Sequence, residues 1–435
     1  MARSKVAGKP ARLRSGILCL LALLICMSFS TPLMAQAGQL DSTFGTGGVF
    51  TLGVTNTFFA TVNNVVAVQS DGKIVIGGSN DGVATLARVT SGGVLDTSFG
   101  TNGVATVDFL TLENTAVIEG IAIQSDGKIL VSGVFPSATA ASICRVLSNG
   151  SLDASFNGGC TNLLGDTNIP GVGTAVLALQ PDGNILLAAA GVLARYTTNG
   201  QFDPTFGSGG TAGLACLVPT AIALQSSGQI LVASGAAAPG SLGFLQAGSL
   251  SRYNADGSLD ARFAYSGLAS SVVSASAIAV QGNDEIIVAG TVASQPVYPP
   301  NNSVTGFGLV RYTVNGVADP LFGGHGVVIT PFASPGPGAS AFALAIQANG
   351  DIIAAGQAGN VPFQGGGTSS FALARYNLGG FLDSTFGSGG LVTTSFNDLA
   401  FISATVLQSD GKIVVSGNSF SNGGRSFVAA RYLSQ

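Results

Sequence analysis

Six carboxylates in this chain of 435 residues stand outside every repeated pattern: Asp81, Asp108, Glu113, Glu119, Asp166 and Asp398. Carboxylates gathered on one surface can move protons as acid and base, or hold calcium through hard oxygen donors. Their spacing fits no calcium-loop motif. No cofactor is therefore expected, and calcium on Asp108, Glu113, Asp166 or Asp398 is the one metal alternative. His325 is the single histidine, which argues against a Ser-His-Asp set and against the two-histidine HExxH zinc site. It lies in FGGHG, where other parts of the chain place Gly47, Asn102, Gly159, Gly209, Ser266 and Gly389. That company marks a turn position that tolerates positive φ.

What must position these groups is a repeat. Residues 40–45 read LDSTFG, and variants return at 95–100, 152–157, 202–207, 259–264, 318–323 and 382–387. The Asp moves from 41 to 96, 153, 203, 260, 319 and 383, a period that belongs to supersecondary units laid side by side. Each unit has a turn led by Gln69, Gln124, Gln180, Gln225, Gln281, Gln347 or Gln408 between two β-branched runs. An Asp-Gly in such a turn, as at 71–72, is a strong hairpin signal. A third run holds Arg88, Arg145, Arg195, Arg252, Arg311, Arg375 or Arg431, and a fourth follows the LDxTFG segment. Four short antiparallel strands in each of seven units describe an all-β, seven-bladed β-propeller.

The phase of the repeat predicts how the ring closes. The first LDSTFG has no three strands before it, and Arg431 and Tyr432 have no LDxTFG after them. Residues 40–52 should supply the outer strand of the blade whose other strands come from 402–432, which hides a sheet edge. Transmembrane strands need about 9 to 11 residues and aromatic girdles. The short apolar runs and the absence of Trp argue against such a barrel.

The combination of LDxTFG, QxDGKI and ARYxxxGxLD resembles the delta-60 repeat family, a β-propeller repeat of exported bacterial proteins. The resemblance covers nearly all of residues 38–435 and implies fold and export, with no activity to carry over. Departures are local: Ala318, Ala264 and Asn157 replace family residues, as do Asp284 and Glu285 in the fifth Gln-led turn.

Residues 1–37 read as a secretory signal peptide. Five cations precede an apolar run at 17–29, and Ala35 and Ala37 frame an A-x-A site with cleavage expected after Ala37. The run is shorter than the roughly 20 residues of a spanning helix. Leu24 and Ile25 before Cys26 are not the small residues of a lipoprotein site. The remaining chain keeps twelve cations against 21 acids, which argues against nucleic-acid and anionic-membrane partners. Secretion, to the periplasm, the cell surface or beyond, and a monomer are expected. Cys144, Cys160 and Cys216 have apolar neighbours and read as buried small side chains, their pairing left open.

Seven arginines and seven aspartates are taken up by the repeat, as cross-strand pairs such as Arg88 with Asp96. Arg431 finds an Asp only in Asp41. The alternative is a functional ring of carboxylates around the channel. The repeated Phe44, Phe99, Phe156, Phe206, Phe263, Phe322 and Phe386 read as packing between blades. The six leftover acids fall in, or at the edge of, connections between second and third strands and between blades. Three long loops at 235–249, 291–306 and 357–370 join them on one face. Variable loops on a rigid scaffold are where binding resides. Phe244, Tyr298, Asn301, Asn302, Phe363 and Gln364, with Asp108, Glu113, Asp166 and Asp398, are the candidate contacts for an extracellular polymer, peptide or protein. A carboxylate- or calcium-dependent enzyme on that face and a purely structural surface protein are the alternatives.

Overall fold

The computed structural model describes residues 1–2, 36–54, 64–109, 116–134, 140–164, 174–216, 218–235, 249–263, 272–293, 304–332, 338–360, 367–396, 399–421 and 424–435. Short apolar runs bounded by glycine turns form fully buried strands when a sheet is covered on both faces, and seven such sheets are present. Counted outward from the axis, blade 1 is Val65–Val68, Ile74–Asn80, Val83–Val89 and Val104–Thr106. Blade 2 is Val117–Ile123, Ile129–Val134, Ala140–Val146 and Cys160–Leu164. Blade 3 is Ala175–Leu179, Ile185–Ala189, Val192–Tyr196 and Thr211–Gly213. Blade 4 shows three strands among the described residues, Pro219–Leu224, Ile230–Ser234 and Ser249–Tyr253. Blade 5 is Val272–Val280, Ile286–Ala293, Val304–Tyr312 and Val327–Thr330. Blade 6 is Ala339–Ile346, Ile352–Asn360, Thr368–Tyr376 and Leu391–Thr394.

Blade 7 is made from both ends of the repeat array. Leu399–Leu407, Ile413–Ser421 and Gly424–Tyr432 are followed outward by Val49–Val54, with Val49 opposite Ala430 and Val54 opposite Arg425. Neighbouring first strands touch all the way round, including Leu399–Leu407 against Val65–Val68, so the ring is closed. The seam continues the turn chemistry of the other blades. Gly38 N donates to Leu433 O at 2.7 Å, as Gly93 N does to Thr90 O at 2.9 Å. Ala37 is buried, and its carbonyl accepts from Gly387 N at 2.8 Å.

The repeated arginine fastens each blade to the next. Six arginines donate through Nε to the Asp Oδ2 of their own blade at 2.8–3.0 Å, and Arg375 does so through Nη2 at 2.8 Å. The expected pair of Arg431 with Asp41 is among them, at 2.9 Å. Each guanidinium also covers its repeated Phe ring at 4.5–5.0 Å. Nη1 then crosses to a turn carbonyl of the following blade at 2.5–2.7 Å, from Arg88 to Ser148 and round to Arg431 with Ser91. In five blades Nη2 reaches the Ser or Thr two residues after the Asp, at 3.0–3.2 Å. Arg262 and Leu321 lack that hydroxyl, and there Arg252 and Arg311 turn Nη2 onto the carboxylate instead.

Cysteine usage differs from expectation. Cys144 lies opposite Cys160 in the third and fourth strands of blade 2, and the two form a disulfide. Their apolar neighbours reflect a buried position, which a disulfide occupies as readily as a thiol. Cys216 is a buried free thiol, its pKa pushed up to about 11 by burial against a small opposing effect of Ser234.

Removing one partner of a buried ion pair costs about 3–5 kcal/mol. Arg431→Ala should lower unfolding free energy in urea by about that amount, because it strands Asp41 and loosens the seam. Arg262→Ala, at a side chain 91% exposed, should change it by less than about 0.5 kcal/mol. Equal effects from the two substitutions would contradict the fastening role.

Candidate functional site

The face carrying the tight turns has its charges already committed. Lys73, Lys128 and Lys412 reach the ladder aspartates at 3.8, 3.3 and 3.3 Å and pair with Asp71, Asp126 and Asp410 of their own turns. Glu285 stands where those lysines do and pairs with Arg311 at 3.2 Å. Each ladder Asp also accepts through Oδ1 from the N–H two residues on, closing the STF turn. The ladder is structural, and none of its carboxylates lines the axial chamber described below. Burial pushes the Asp41 carboxyl up, but the Thr43 hydroxyl and N–H, Arg431 and Lys412 outweigh it and hold the pKa at about 2. Asp153 is likewise held at about 2 against burial, by Ser155, Lys128 and Arg145.

The opposite face carries the connections between second and third strands and between blades. Phe244, Tyr298, Asn301, Asn302, Phe363, Gln364, Glu113, Asp166 and Asp398 lie outside the described residues. Asp108 is exposed just beyond Val104–Thr106, and Asp81 is exposed in the turn after Ile74–Asn80 at φ 52. Glu119, expected in or at the edge of a connection, is the third residue of the first strand of blade 2. His325 is exposed in a turn after Phe322–Gly324, but at φ −141. Gly323, Gly324 and Gly326 take the positive φ values there, so the histidine need not.

Two features of this face escaped the sequence reading. At the seam, Phe401 and Phe420 stack with ring centroids 6.2 Å apart, both partly exposed, and the Arg425 guanidinium lies 5.5 Å from the Phe420 ring. Arg425 Nε donates to Asn418 Oδ1 at 2.9 Å, and Asn64 Nδ2 donates to the same oxygen at 3.2 Å and to Gly417 O at 2.5 Å. Burial lowers the Arg425 pKa to about 10. Its signal was present, because Arg425 and Arg262 are the two arginines after residue 37 that occupy no ladder position.

The second feature is a chamber of about 320 Å³ on the axis, lined from all seven first strands by residues such as Val66, Glu119, Leu177, Ile222, Ser276 and Ser403. Its shape comes from a bulge. In blades 2, 4, 5, 6 and 7 a first-strand residue opposes no partner: Glu119, Thr220, Ser276, Phe342 and Ser403, with Val273 a second such residue in blade 5. A bulge bends the strand and re-aims a side chain. Here it drives the Ser340 carbonyl to where a Cβ on Gly356 would stand, and the Phe401 carbonyl to the matching place at Gly417. The glycine closing IIAAG and IVVSG is thereby required.

A closed ring of seven repeated sheets defines a β-propeller repeat protein. Residues 69–99, 124–156, 180–206, 281–322, 347–386 and 408–435 match the model of DUF5122, a β-propeller domain of unknown function. Among solved structures, the chain is similar to virginiamycin B lyase from Staphylococcus aureus at 14% identity and TM-score 0.47, covering 87% of this chain and 98% of that one. It is similar to a family PL25 ulvan lyase at 11% identity and TM-score 0.47, with 91% and 96% covered. A gluconolactonase from Xanthomonas campestris is similar at 12% identity and TM-score 0.39, with 91% and 97% covered. No activity follows from likeness at this level. No curated protein matches the sequence. Among the described residues no helix is long and apolar enough to cross a membrane.

The depressed aspartates set an acid limit. A carboxyl whose folded pKa lies below its ordinary 3.8 contributes stability that is complete above 3.8 and is lost as pH falls toward about 2. Shifts of this size are worth about 2 kcal/mol each. Thermal midpoints should therefore be level in mild acid and drop steeply between pH 3.8 and about 2, the bounds set by Asp41 and Asp153. A midpoint that stays level through that window would refute the ladder's electrostatic role.

Proposed function

We propose that the protein is an exported binding module, of the delta-60 repeat kind, that engages an extracellular polymer, peptide or protein through its variable loop face. The observation that carries this reading is the division of labour between the faces. On the tight-turn face the ladder pairs, the turn lysines and Glu285 are bound to one another, whereas the loop face presents a partly exposed aromatic pair backed by a buried arginine. Aromatic and arginine side chains are the groups that dominate binding energy at interfaces. Phe401 and Phe420, held in place by the buried Arg425, join the loop residues Phe244, Tyr298, Asn301, Asn302, Phe363 and Gln364 as its contacts. A carboxylate- or calcium-dependent enzyme using Asp108, Glu113, Asp166 and Asp398 is the second reading. The disulfide supports export, since such bonds persist in oxidising compartments.

A pull-down with the exported chain tests the binding reading. Shortening the loops at 235–249, 291–306 and 357–370, or Phe420→Ala, should deplete specific partners by at least about tenfold, the effect of losing about 1.4 kcal/mol. Equal recovery by every variant would refute it. Export is tested separately by counting thiols after unfolding without reductant. One accessible thiol, from Cys216, is expected in the exported chain, and Cys144 and Cys160 should appear only after reduction. Three thiols without reductant, or five if residues 1–37 with Cys19 and Cys26 are retained, would count against an oxidising destination.

A further inference from the structure

Pairing of charges on the tight-turn face does not leave every blade neutral. In blades 1, 2 and 7 the two cations of ladder and Gln-led turn, such as Lys73 and Arg88, match two acids, such as Asp71 and Asp96. Blade 5 sets one cation, Arg311, against the three acids Asp284, Glu285 and Asp319, and blade 6 sets Arg375 against the two acids Asp351 and Asp383. These two neighbouring blades thus hold an excess of three acids.

The same two blades break the polar pattern of the outer turns. The residue two before the turn glycine is Ser91, Ser148 or Thr198 in blades 1 to 3, but Val314 and Leu378 in blades 5 and 6. The residue after that glycine is Ser151, Gln201 or Ser258 in blades 2 to 4, but Val317 and Phe381 here. Leu321 replaces the Ser or Thr found two residues after the ladder Asp in five blades. Val94 of blade 1 is apolar as well, but its companions there are Ser91 and Ser98. The five apolar side chains of blades 5 and 6 are 39–77% exposed. Scattered exposed apolar groups need no explanation, whereas gathered ones mark an interaction surface.

Hydrogen bonds gather them. Gly323 N donates to Gly379 O at 2.8 Å, which sets the segment bearing Leu321 against the turn bearing Leu378 and Phe381. Arg311 Nη1 lies 2.7 Å from Leu378 O and 3.2 Å from Glu285, so an acid and an apolar turn flank one guanidinium. Gln225 Nε2 donates to Asp284 O and to Val314 O at 3.1 and 3.2 Å, joining the second such pair. Arg262 bounds the surface toward blade 4.

Acids beside an exposed apolar surface select among occupants. A second copy would bring like charges together in a self-complementary contact, and an anionic lipid surface would be repelled. A polypeptide segment with apolar side chains beside Lys or Arg meets both features at once. We propose that the outer turns of blades 5 and 6 form a second docking surface, independent of the loop face, for a cationic amphipathic segment of another protein. Val317, Leu321, Leu378 and Phe381 cover its apolar side, and Asp284, Glu285 and Asp351 attract its cations.

The test titrates the intact protein into labelled helical peptides of equal length, patterned from Leu with Lys, Leu with Glu, or Ser with Lys, and reads fluorescence anisotropy in about 0.15 M salt, where distant charges are screened. The Leu-Lys peptide should bind at least about tenfold more tightly than either other, a ratio worth about 1.4 kcal/mol. Leu321→Ser with Phe381→Ser should weaken it by a similar factor. So should Glu285→Lys with Asp351→Lys, which restores the lysine that blades 1, 2 and 7 carry at that turn position. Asp126→Lys with Asp182→Lys, an equal change of charge on blades 2 and 3, should leave the affinity unchanged. Absent binding, or equal affinity for the Leu-Lys and Ser-Lys peptides, would overturn the proposal in the wild-type protein, with no variant needed. Undiminished affinity in either blade 5 and 6 variant would do the same, as would an equal loss in the blade 2 and 3 control. Sedimentation supplies the remaining outcome: a wild-type dimer that Leu321→Ser with Phe381→Ser returns to monomer would assign the surface to a second copy and overturn the cationic partner.

Discussion

The structure depends on one guanidinium used several ways. Within each repeat the same arginine neutralises an aspartate, lies over a phenylalanine ring and donates to a backbone oxygen of the neighbouring blade. Lysine could not replace it, because a compact ammonium has neither the planar surface for the ring nor donors fixed in a fork. Burying such a cation is costly unless its hydrogen bonds are met, and here carboxylate, hydroxyl and carbonyl meet them. The local variants make the same point. Where the hydroxyl is missing, at Arg262 and Leu321, the fork gives both its Nε and Nη2 bonds to the carboxylate.

Around that fastening the blades pack through their second and third strands, whose side chains are buried on both faces; Ile129–Val134 is buried throughout. The first strands differ because one edge meets the axis. Their bulges keep the chamber from filling and decide which side chains face it, and glycines such as Gly356 and Gly417 give the bent backbone its room. The rigid ring thus presents two unlike faces and a hollow centre. Chemistry that varies from blade to blade lies on the loop face, along the axis and on the outer turns of blades 5 and 6.

Most of the scaffold was legible in the sequence because it is written seven times. The Arg and Asp spacing gave the pairs, including Arg431 with Asp41 across the seam, and the Gln-led turns gave the hairpins. The contacts between blades were hidden, because a backbone carbonyl such as that of Ser148 accepts a bond whatever its side chain is. The bulge was hidden for a related reason. An inserted residue has no characteristic type, so the sequence places Glu119 only in or at the edge of a connection, whereas it is the third residue of a strand. Apolar neighbours surround a buried thiol and a buried disulfide alike, and only the register of blade 2 brings Cys144 opposite Cys160. Of the candidate site, Asp108 is seen exposed where expected, while the long loops vary in length and sequence and so have no periodicity to read.

Blade 7 has a kinetic meaning as well as a geometric one. The partners Asp41 and Arg431 are separated by 390 positions, and contacts this remote raise the entropic barrier to folding. During synthesis Val49–Val54 has no sheet to join until Gly424–Tyr432 has emerged. An incomplete chain is therefore an open arc with unsatisfied strand edges. The seam, with its Asp41–Arg431 pair, is thus the last part of the ring that can form.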